Sequence, residues 1–178
     1  MTNKRCSWVT DDEIYVRYHD EEWGVPTHDD QELFEMLVLE SFQAGLSWIT
    51  ILKKRENFKK AFDNFDYEKI AEYGEDKIEE LRLDAGIIRH KGKISAAINN
   101  AEIFIDIQKE FGSFDEYIWG FTDGEIIKAE FETESELSKN ISKDLKKRGM
   151  KFVGPTIIYS YLESIGIIDN HEKECFKF

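Results

Sequence analysis

Lys146-Lys-Arg-Gly-Met-Lys-Phe-Val-Gly-Pro155-Thr156 is a stretch in which one helix must end and another must begin. Gly149 closes the segment that Ser135 opens, because glycine enters the left-handed conformation that ends a helix without a Cβ penalty. Pro155 lacks an N–H and is pre-set for a first helical turn, where that donor has no intrahelical partner anyway. A tight turn at Val153-Gly154-Pro155 therefore joins a basic amphipathic helix to a second helix over Thr156 to Ile165. The opening N–H groups of that second helix have no carbonyl to bond, which makes the site suited to an anion. With flanking lysines and the Thr156 hydroxyl, the unit can grip a phosphate while ignoring base sequence. Lys151, Gly154 and Thr156 are its expected contacts.

Outward from this hairpin the apolar spacing is helical almost throughout. Asp30 is read as the N-cap of a helix carrying Leu33, Phe34, Leu37 and Val38. A second helix starts near Ser47 and carries Ile51, Leu52, Phe58 and Phe62. Asp76 is read as the cap of a short helix with Ile78 and Leu81, ended near Gly86. After Gly92 a long stripe of Ile94, Ala97, Ile98, Ala101, Phe104 and Ile105 runs to Gly112, and Ser113 caps a short helix through Trp119. Thr122 to Glu134 is polar and acidic and reads as a loop. No segment alternates as a strand does. The expected fold is all-α, a bundle of short helices forming one unit over residues 1–178.

The chain has 178 residues, enough to bury a sizeable core, and is rich in aromatics, with 13 Phe, 7 Tyr and 4 Trp. It has no apolar run of about 18 residues, so no membrane span is expected, and the simplest location is cytoplasmic. A net charge of −13 argues against a nucleic-acid partner, since phosphate binding leaves a basic footprint. The distribution argues otherwise. Acid is concentrated in Asp63 to Glu80 and Asp123 to Glu136, whereas Lys139, Lys143, Lys146, Lys147, Arg148 and Lys151 crowd one segment. Arg89, Lys91 and Lys93 form a second basic knot. Such a dipolar surface can present one positive face; a solvated helix face is the plainer reading of the lysine run.

The two cysteines and two of the four histidines sit at the ends of the chain: Cys6 and His19, His171 and Cys175. A Cys₂His₂ set makes a tetrahedral zinc shell. His171 and Cys175 are four apart, so one helical turn would point both the same way, and a zinc ion would clamp the N-terminal segment onto the last helix. Buried free thiols, or a disulfide in a secreted protein, are the alternatives; no apolar signal-type stretch precedes Cys6, so an oxidising compartment is not expected.

Tyr15, Tyr18, His19, Trp23, Glu40, Phe42 and Trp48 lie in one short stretch. Glu40 follows Leu37, Val38 and Leu39, which draws its carboxylate toward an apolar environment where it needs a partner. A ligand with amino donors or positive charge would supply one, and Tyr18 and Trp48 offer flat faces for a heterocycle. The alternative is a surface Glu40 with the aromatics as core.

These motifs carry a family resemblance. Arg5-Cys6 with Trp8, and Tyr18-His-Asp-Glu-Glu-Trp-Gly-Val-Pro26, resemble the opening of the 3-methyladenine DNA glycosylase I family. Leu39-Glu-Ser-Phe-Gln-Ala-Gly-Leu-Ser-Trp48 and Lys53-Lys-Arg-Glu56 continue it, as do Gly86-Ile-Ile-Arg89, Lys93-Ile94, Leu145-Lys-Lys-Arg-Gly149, Lys151-Phe-Val-Gly154, His171 and Cys175. The likeness runs nearly end to end, with Thr122 to Glu134 uninformative. It implies a helix-hairpin-helix glycosylase, the motif spanning about 135–166, with the terminal segments 1–20 and 167–178 tied by one structural zinc on Cys6, His19, His171 and Cys175. Glu40 would accept hydrogen bonds from a flipped base, and Tyr18 and Trp48 would line and stack the pocket, with Trp8, Tyr15 and Trp23 nearby. Gln43 and Leu46 would fill the gap in the duplex. The implied reaction is release of 3-methyladenine from alkylated double-stranded DNA, by a monomer, without strand cleavage, because Thr156 stands near the place where bifunctional relatives carry a nucleophilic lysine. Asp169 would be a structural cap rather than a catalytic acid. Three departures are local: Asp169-Asn170-His171 replaces Asn-Asp-His, Met150 replaces a frequent Phe, and Glu163 replaces a frequent Gln; the last two read as structural. A glycosylase for another damaged base, or a non-enzymatic binding module, are the competing functions.

Overall fold

The structure is a computed structural model that describes residues 3–130 and 132–178. Met1 and Thr2 of the N-terminal segment, and Phe131 within the stretch expected as a loop, lie outside the described residues. The described residues form helices α1 (Glu13–Glu21), α2 (Asp30–Gln43), α3 (Trp48–Ala61), a 3₁₀ turn (Asp63–Phe65), α4 (Tyr67–Ala71), α5 (Glu75–Arg82), α6 (Lys91–Phe111), α7 (Phe114–Gly120), α8 (Glu136–Lys147) and α9 (Pro155–Ser164). Two short strands, β1 (Ile127–Lys128) and β2 (Ile168–Asp169), complete the order.

Helix α2 is the axis of the core. Leu33, Phe34, Leu39 and Phe42 are fully buried and lie all round it, as expected of a helix covered on every side. It packs on α3, α6, α7 and α9. Its cap is Asp29, whose carboxylate accepts from Glu32 N at 3.0 Å, and not Asp30. Asp30 is one residue inside and serves another helix: it accepts from Phe114 N and Asp115 N, each at 2.9 Å, and from Gln108 Nε2 at 2.7 Å. The start of α7 is thereby tied to the start of α2.

Local signals set most other ends. Ser47 precedes α3, Ser113 caps α7 through Glu116 N, and Ser135 forms a capping box with Ser138 at α8. Gly112, at φ 93°, stops α6. The N-cap of α5 is Gly74, two residues before the expected Asp76. The stretch read as a pure loop holds β1, which runs parallel to β2 with Ile127 opposite Ile168 and Lys128 opposite Asp169. A two-residue strand is too short to show an alternation.

The turn between α8 and α9 is held from outside. Asn100 on α6 donates to Lys151 O and accepts from Lys151 N, both at 2.9 Å, and Asn99 donates to Gly149 O at 2.9 Å. Ser142 on α8 donates to Val153 O at 2.6 Å. Gly149 (φ 102°) and Phe152 (φ 56°) make the reversal.

Candidate active site

Helices α1, α2, α3 and α9 converge on a cavity of about 230 Å³. Tyr18 from α1, Glu40 and Gln43 from the end of α2, and Trp48 at the start of α3 all line it, and so do Trp8, Tyr15 and Trp23. Of the stretch singled out in the sequence, Phe42 instead packs on Phe58 and Phe62 in the core, and His19 turns to the two cysteines. The rings pack edge to face around Trp8, which lies 5.2 Å from Tyr15 and 5.0 Å from Trp23, while Tyr18 and Trp48 lie 5.5 Å apart. Trp48 keeps a buried indole N–H without a hydrogen-bond partner among the described residues.

Glu40 is only 3 % exposed, and its Oε2 has no partner among the described residues. Burial pushes its pKa well above the ordinary carboxylate value, and the nearby charge of Glu163 adds to this. Its conformation is set by α2, whose flanking side chains are core. A buried polar atom left open toward a cavity points to a missing partner.

Ser160 and Glu163, from α9, also line the cavity. Glu163 was read from sequence as a structural replacement; the structure corrects that, placing it beside Glu40. Burial raises its carboxyl to about 7, moderated by a hydrogen bond from Asn170 Nδ2 at 3.2 Å. No sequence pattern near Glu163 marks it, because it depends on how α9 crosses α2.

The terminal segments meet as expected, but without a helix at the C-terminal end. His171 and Cys175 lie in turns after β2, not on α9, the last helix, which ends at Ser164. The donor atoms of Cys6, His19 and Cys175 lie within 4.8 Å of one another, and all three residues are buried. The His171 ring is 5.5 Å from that of His19, and its Nε2 is buried without a partner among the described residues. Both imidazoles are held by carboxylates through Nδ1, His19 by Asp20 at 2.8 Å and His171 by Asp169 at 2.7 Å. That turns both Nε2 atoms away from the carboxylates, His19 Nε2 to 3.5 Å from Cys175 Sγ, so Cys6, His19 and Cys175 could hold a metal together, with His171 the outlying fourth. Burial lowers the pKa of both histidines, favouring the neutral form a metal needs, and pushes Cys6 up to about 12. Phe176 N donates to Lys4 O at 2.8 Å and Lys177 Nζ to Asp20 O at 3.1 Å, joining the same two segments. The cluster also underlies the cavity, since Trp23 lies 4.6 Å from the His171 ring and Trp8 5.4 Å from that of His19.

The expected DNA face is composite. Leu46 is 40 % exposed on the turn after α2, next to Gln43 at the cavity. Lys151 and Thr156 are exposed at the hairpin, and Gly154 caps α9, whose first turn has no side-chain cap. Thr156 and Ser160 are one turn apart on α9, so the hairpin leads to the cavity along one helix face. Two basic residues are otherwise engaged. Arg148 pairs with Asp144 at 2.8 Å and Glu110 at 2.6 Å. Lys93 is buried, and its ammonium donates to Phe42 O at 2.8 Å and Ala44 O at 2.6 Å, clamping the end of α2 and the turn that leads to Leu46. Asn99, Asn100 and Lys93 were not identified as site supports from sequence. Lone amides and a lysine in a basic run give no sign of a contact some fifty residues away.

The sequence model of the methyladenine glycosylase family matches residues 8–178. DNA-3-methyladenine glycosylase 1 of Escherichia coli K12 is 46 % identical over 97 % of this chain and 95 % of its own length. This chain belongs to the methyladenine glycosylase family. The Haemophilus influenzae DNA-3-methyladenine glycosylase is 42 % identical over 96 % of both chains. A crystal structure of a 3-methyladenine DNA glycosylase I superposes with a TM-score of 0.94 at 45 % identity, covering 97 % of this chain and 98 % of that one. The Staphylococcus aureus 3-methyladenine DNA glycosylase I, solved to explain 3-methyladenine recognition, gives 0.92 at 38 % identity, covering 97 % and 95 %. The fold of this glycosylase-family chain is thus mainly helical, and no described helix is long and apolar enough to cross a membrane.

Proposed function

We propose that the chain is a DNA-3-methyladenine glycosylase that hydrolyses the N-glycosidic bond of 3-methyladenine in alkylated double-stranded DNA. One observation carries the reading: a buried carboxylate, Glu40, with an open oxygen, faces an aromatic cavity of about 230 Å³. The target base leaves the stack and enters the cavity, with Gln43 and Leu46 replacing it in the duplex. Alkylation at N3 gives the base a positive charge, which already weakens its bond to the sugar. Glu40 accepts from the amino edge of the base and is opposite in charge to it. Tyr18 and Trp48 hold the ring by its faces. As the C1′–N9 bond breaks, the base takes the bonding pair and becomes neutral. Water adds to C1′ and loses its proton to solvent, leaving an abasic site. Normal adenine has no charge and gains nothing from a carboxylate that must be desolvated. Base selection is assigned to Glu40, and proton abstraction from water is not.

The hairpin and the first turn of α9 grip the backbone through Lys151, Gly154 and Thr156. No lysine stands at Thr156, so strand cleavage through a covalent adduct is not expected. Asp169 is engaged with His171 and with Lys128 at 2.9 Å, which suits a structural role. Cys6, His19, His171 and Cys175 would hold one zinc ion; with four protein ligands it would supply folding energy and no open coordination position for chemistry.

The test is release of free base from methylated duplex DNA. Wild-type protein releases 3-methyladenine, and Glu40→Gln loses about 10- to 100-fold, the worth of one hydrogen bond to a charged group. Equal activity of the two proteins would remove Glu40 from base selection; a different released base would redirect the substrate.

A further inference from the structure

Glu40 is not the only acid in the cavity. Glu163 faces it from α9, so two carboxyl groups from separate helices share about 230 Å³ with no lysine, arginine or histidine among the residues lining that space. Two like charges in one small cavity are mutually unfavourable unless something positive enters between them. We propose that Glu163 is a second specificity-determining residue, and that Glu40 and Glu163 together form a two-acid site that selects a purine cation by its charge. The proposal rests on the base-binding reading above and assigns to it a residue that no other observation places there.

The surroundings of Glu163 support an acid that changes charge as the ligand arrives. From α2 it faces Glu40, and from α1 Tyr18, whose phenol is held neutral by burial. Beyond Tyr18, Arg55 is spent on Glu22 and Glu35, each at 2.8 Å. From the segment after β2 it receives the neutral amide of Asn170, which also donates to Glu132 O at 3.3 Å. On its own helix lies Tyr159, whose phenol is pushed up by burial, and the charges of Glu163 and Glu132 add to that. Asp169, farther along, is paired with Lys128. Among the described residues lining the cavity, nothing positive competes for the pair. In the empty cavity the pair retains a proton that two isolated carboxylates would have lost. A bound cation draws it off to solvent, so binding of the cation and loss of the proton are linked. A neutral purine of the same shape draws off nothing.

The experiment compares two probes, 3,9-dimethyladeninium, a fixed cation, and 9-methyladenine, its neutral counterpart. For wild-type protein, affinity for the cation should rise as pH passes through about 7, with proton release detectable calorimetrically in buffers of different ionisation enthalpy. The neutral probe should show no such rise. Glu163→Gln should remove the rise near pH 7, leaving only the titration of the buried Glu40, and weaken the cation about tenfold, with 9-methyladenine within about twofold. A pH-independent wild-type affinity, or an equal loss for both probes in Glu163→Gln, overturns the proposal. The wild-type pH series needs no variant, so a poorly folded Glu163→Gln does not block the test. Base release from methylated DNA reports the underlying reading separately: wild-type release with no charge discrimination by Glu163 sinks only the second acid, and absence of release sinks the first reading.

Discussion

Asn100→Leu removes a support of the hairpin without entering the cavity. Asn100 is 3 % exposed, on α6, and its amide makes a two-way match with the backbone of Lys151, each bond 2.9 Å long. Leucine has nearly the same shape and fits the apolar stripe of α6, but it can neither donate nor accept. Lys151 is exposed, so water can take over its N–H and C=O, and the loss is the net worth of two neutral bonds, about 2 kcal/mol. For a protein of this length that lowers the melting temperature by about 4–8 °C. The functional consequence is more selective. The hairpin is aimed at phosphate only while Lys151, Gly154 and the first turn of α9 keep their relative positions. Affinity for undamaged duplex should fall about tenfold, which corresponds to roughly 1.4 kcal/mol, while affinity for free 3-methyladenine stays within about twofold. Differential scanning calorimetry gives the first number, fluorescence anisotropy with a labelled duplex the second, and quenching of the cavity tryptophans the third. An unchanged duplex affinity after the expected melting shift would refute the hairpin's role, and a parallel loss of free-base affinity would show that the cavity and hairpin are not separable.

Lys93→Met should act on the other side of the DNA face: without the ammonium, Phe42 O and Ala44 O lose their donor, the turn carrying Leu46 loosens, and single-turnover release from duplex slows severalfold while free-base affinity holds. If zinc sits on the four terminal side chains, Cys175→Ser should lower the zinc content measured by atomic absorption to below one ion per chain and reduce the melting temperature sharply, because such an ion would join residues more than 150 apart; full zinc content would show that the four side chains are not the ligand set. Stability should also depend on pH through Glu163. Its native carboxyl titrates near 7 and its unfolded one near 4.5, so the folded state holds more protons between these values and stability declines as pH rises through that window. In Glu163→Gln the decline should shrink by up to about 3 kcal/mol, read from denaturant midpoints on either side of the window.

Helix ends were legible where one residue settles them. Ser47, Ser113, Ser135, Gly112 and Pro155 each act within a turn of themselves, and each marks an element the structure contains. Asp29 and Asp30 show the limit of that logic. Both are capping residues by type, and the choice falls to Asp29 because Asp30 is needed by the start of α7, over eighty residues away. The aromatic cavity was legible because its members are close in sequence and Glu40 is misplaced for a core helix. Glu163, Ser160 and Asn100 were not, since each belongs to the site only through the crossing of α9 over α2 or of α6 under the hairpin. The same reason conceals the fate of Arg148 and Lys93, which count as free cations in a sequence and are engaged in the fold.

These contacts also bear on how a chain of net charge −13 can approach DNA. A permanently ionised Glu40 and Glu163 would add two negative charges at the spot where the duplex must touch. Burial and mutual repulsion favour protonation of the resting pair instead, so the empty cavity presents less charge to the phosphates than its sequence suggests. Acid remains around the site, with Asp11, Asp12, Glu13, Asp20, Glu21 and Glu22 in and beside α1 and further acid in α5 and the segment around β1, while exposed Lys139, Lys143, Lys146 and Lys147 lie on the outer face of α8 and Lys151 at the hairpin, where the positive side of the surface is. The negative charge of the pocket then grows as the damaged base brings its own positive charge in. An acid held neutral until its partner arrives can select a cation from within a polyanion, and it keeps undamaged DNA from being repelled at the mouth of the site.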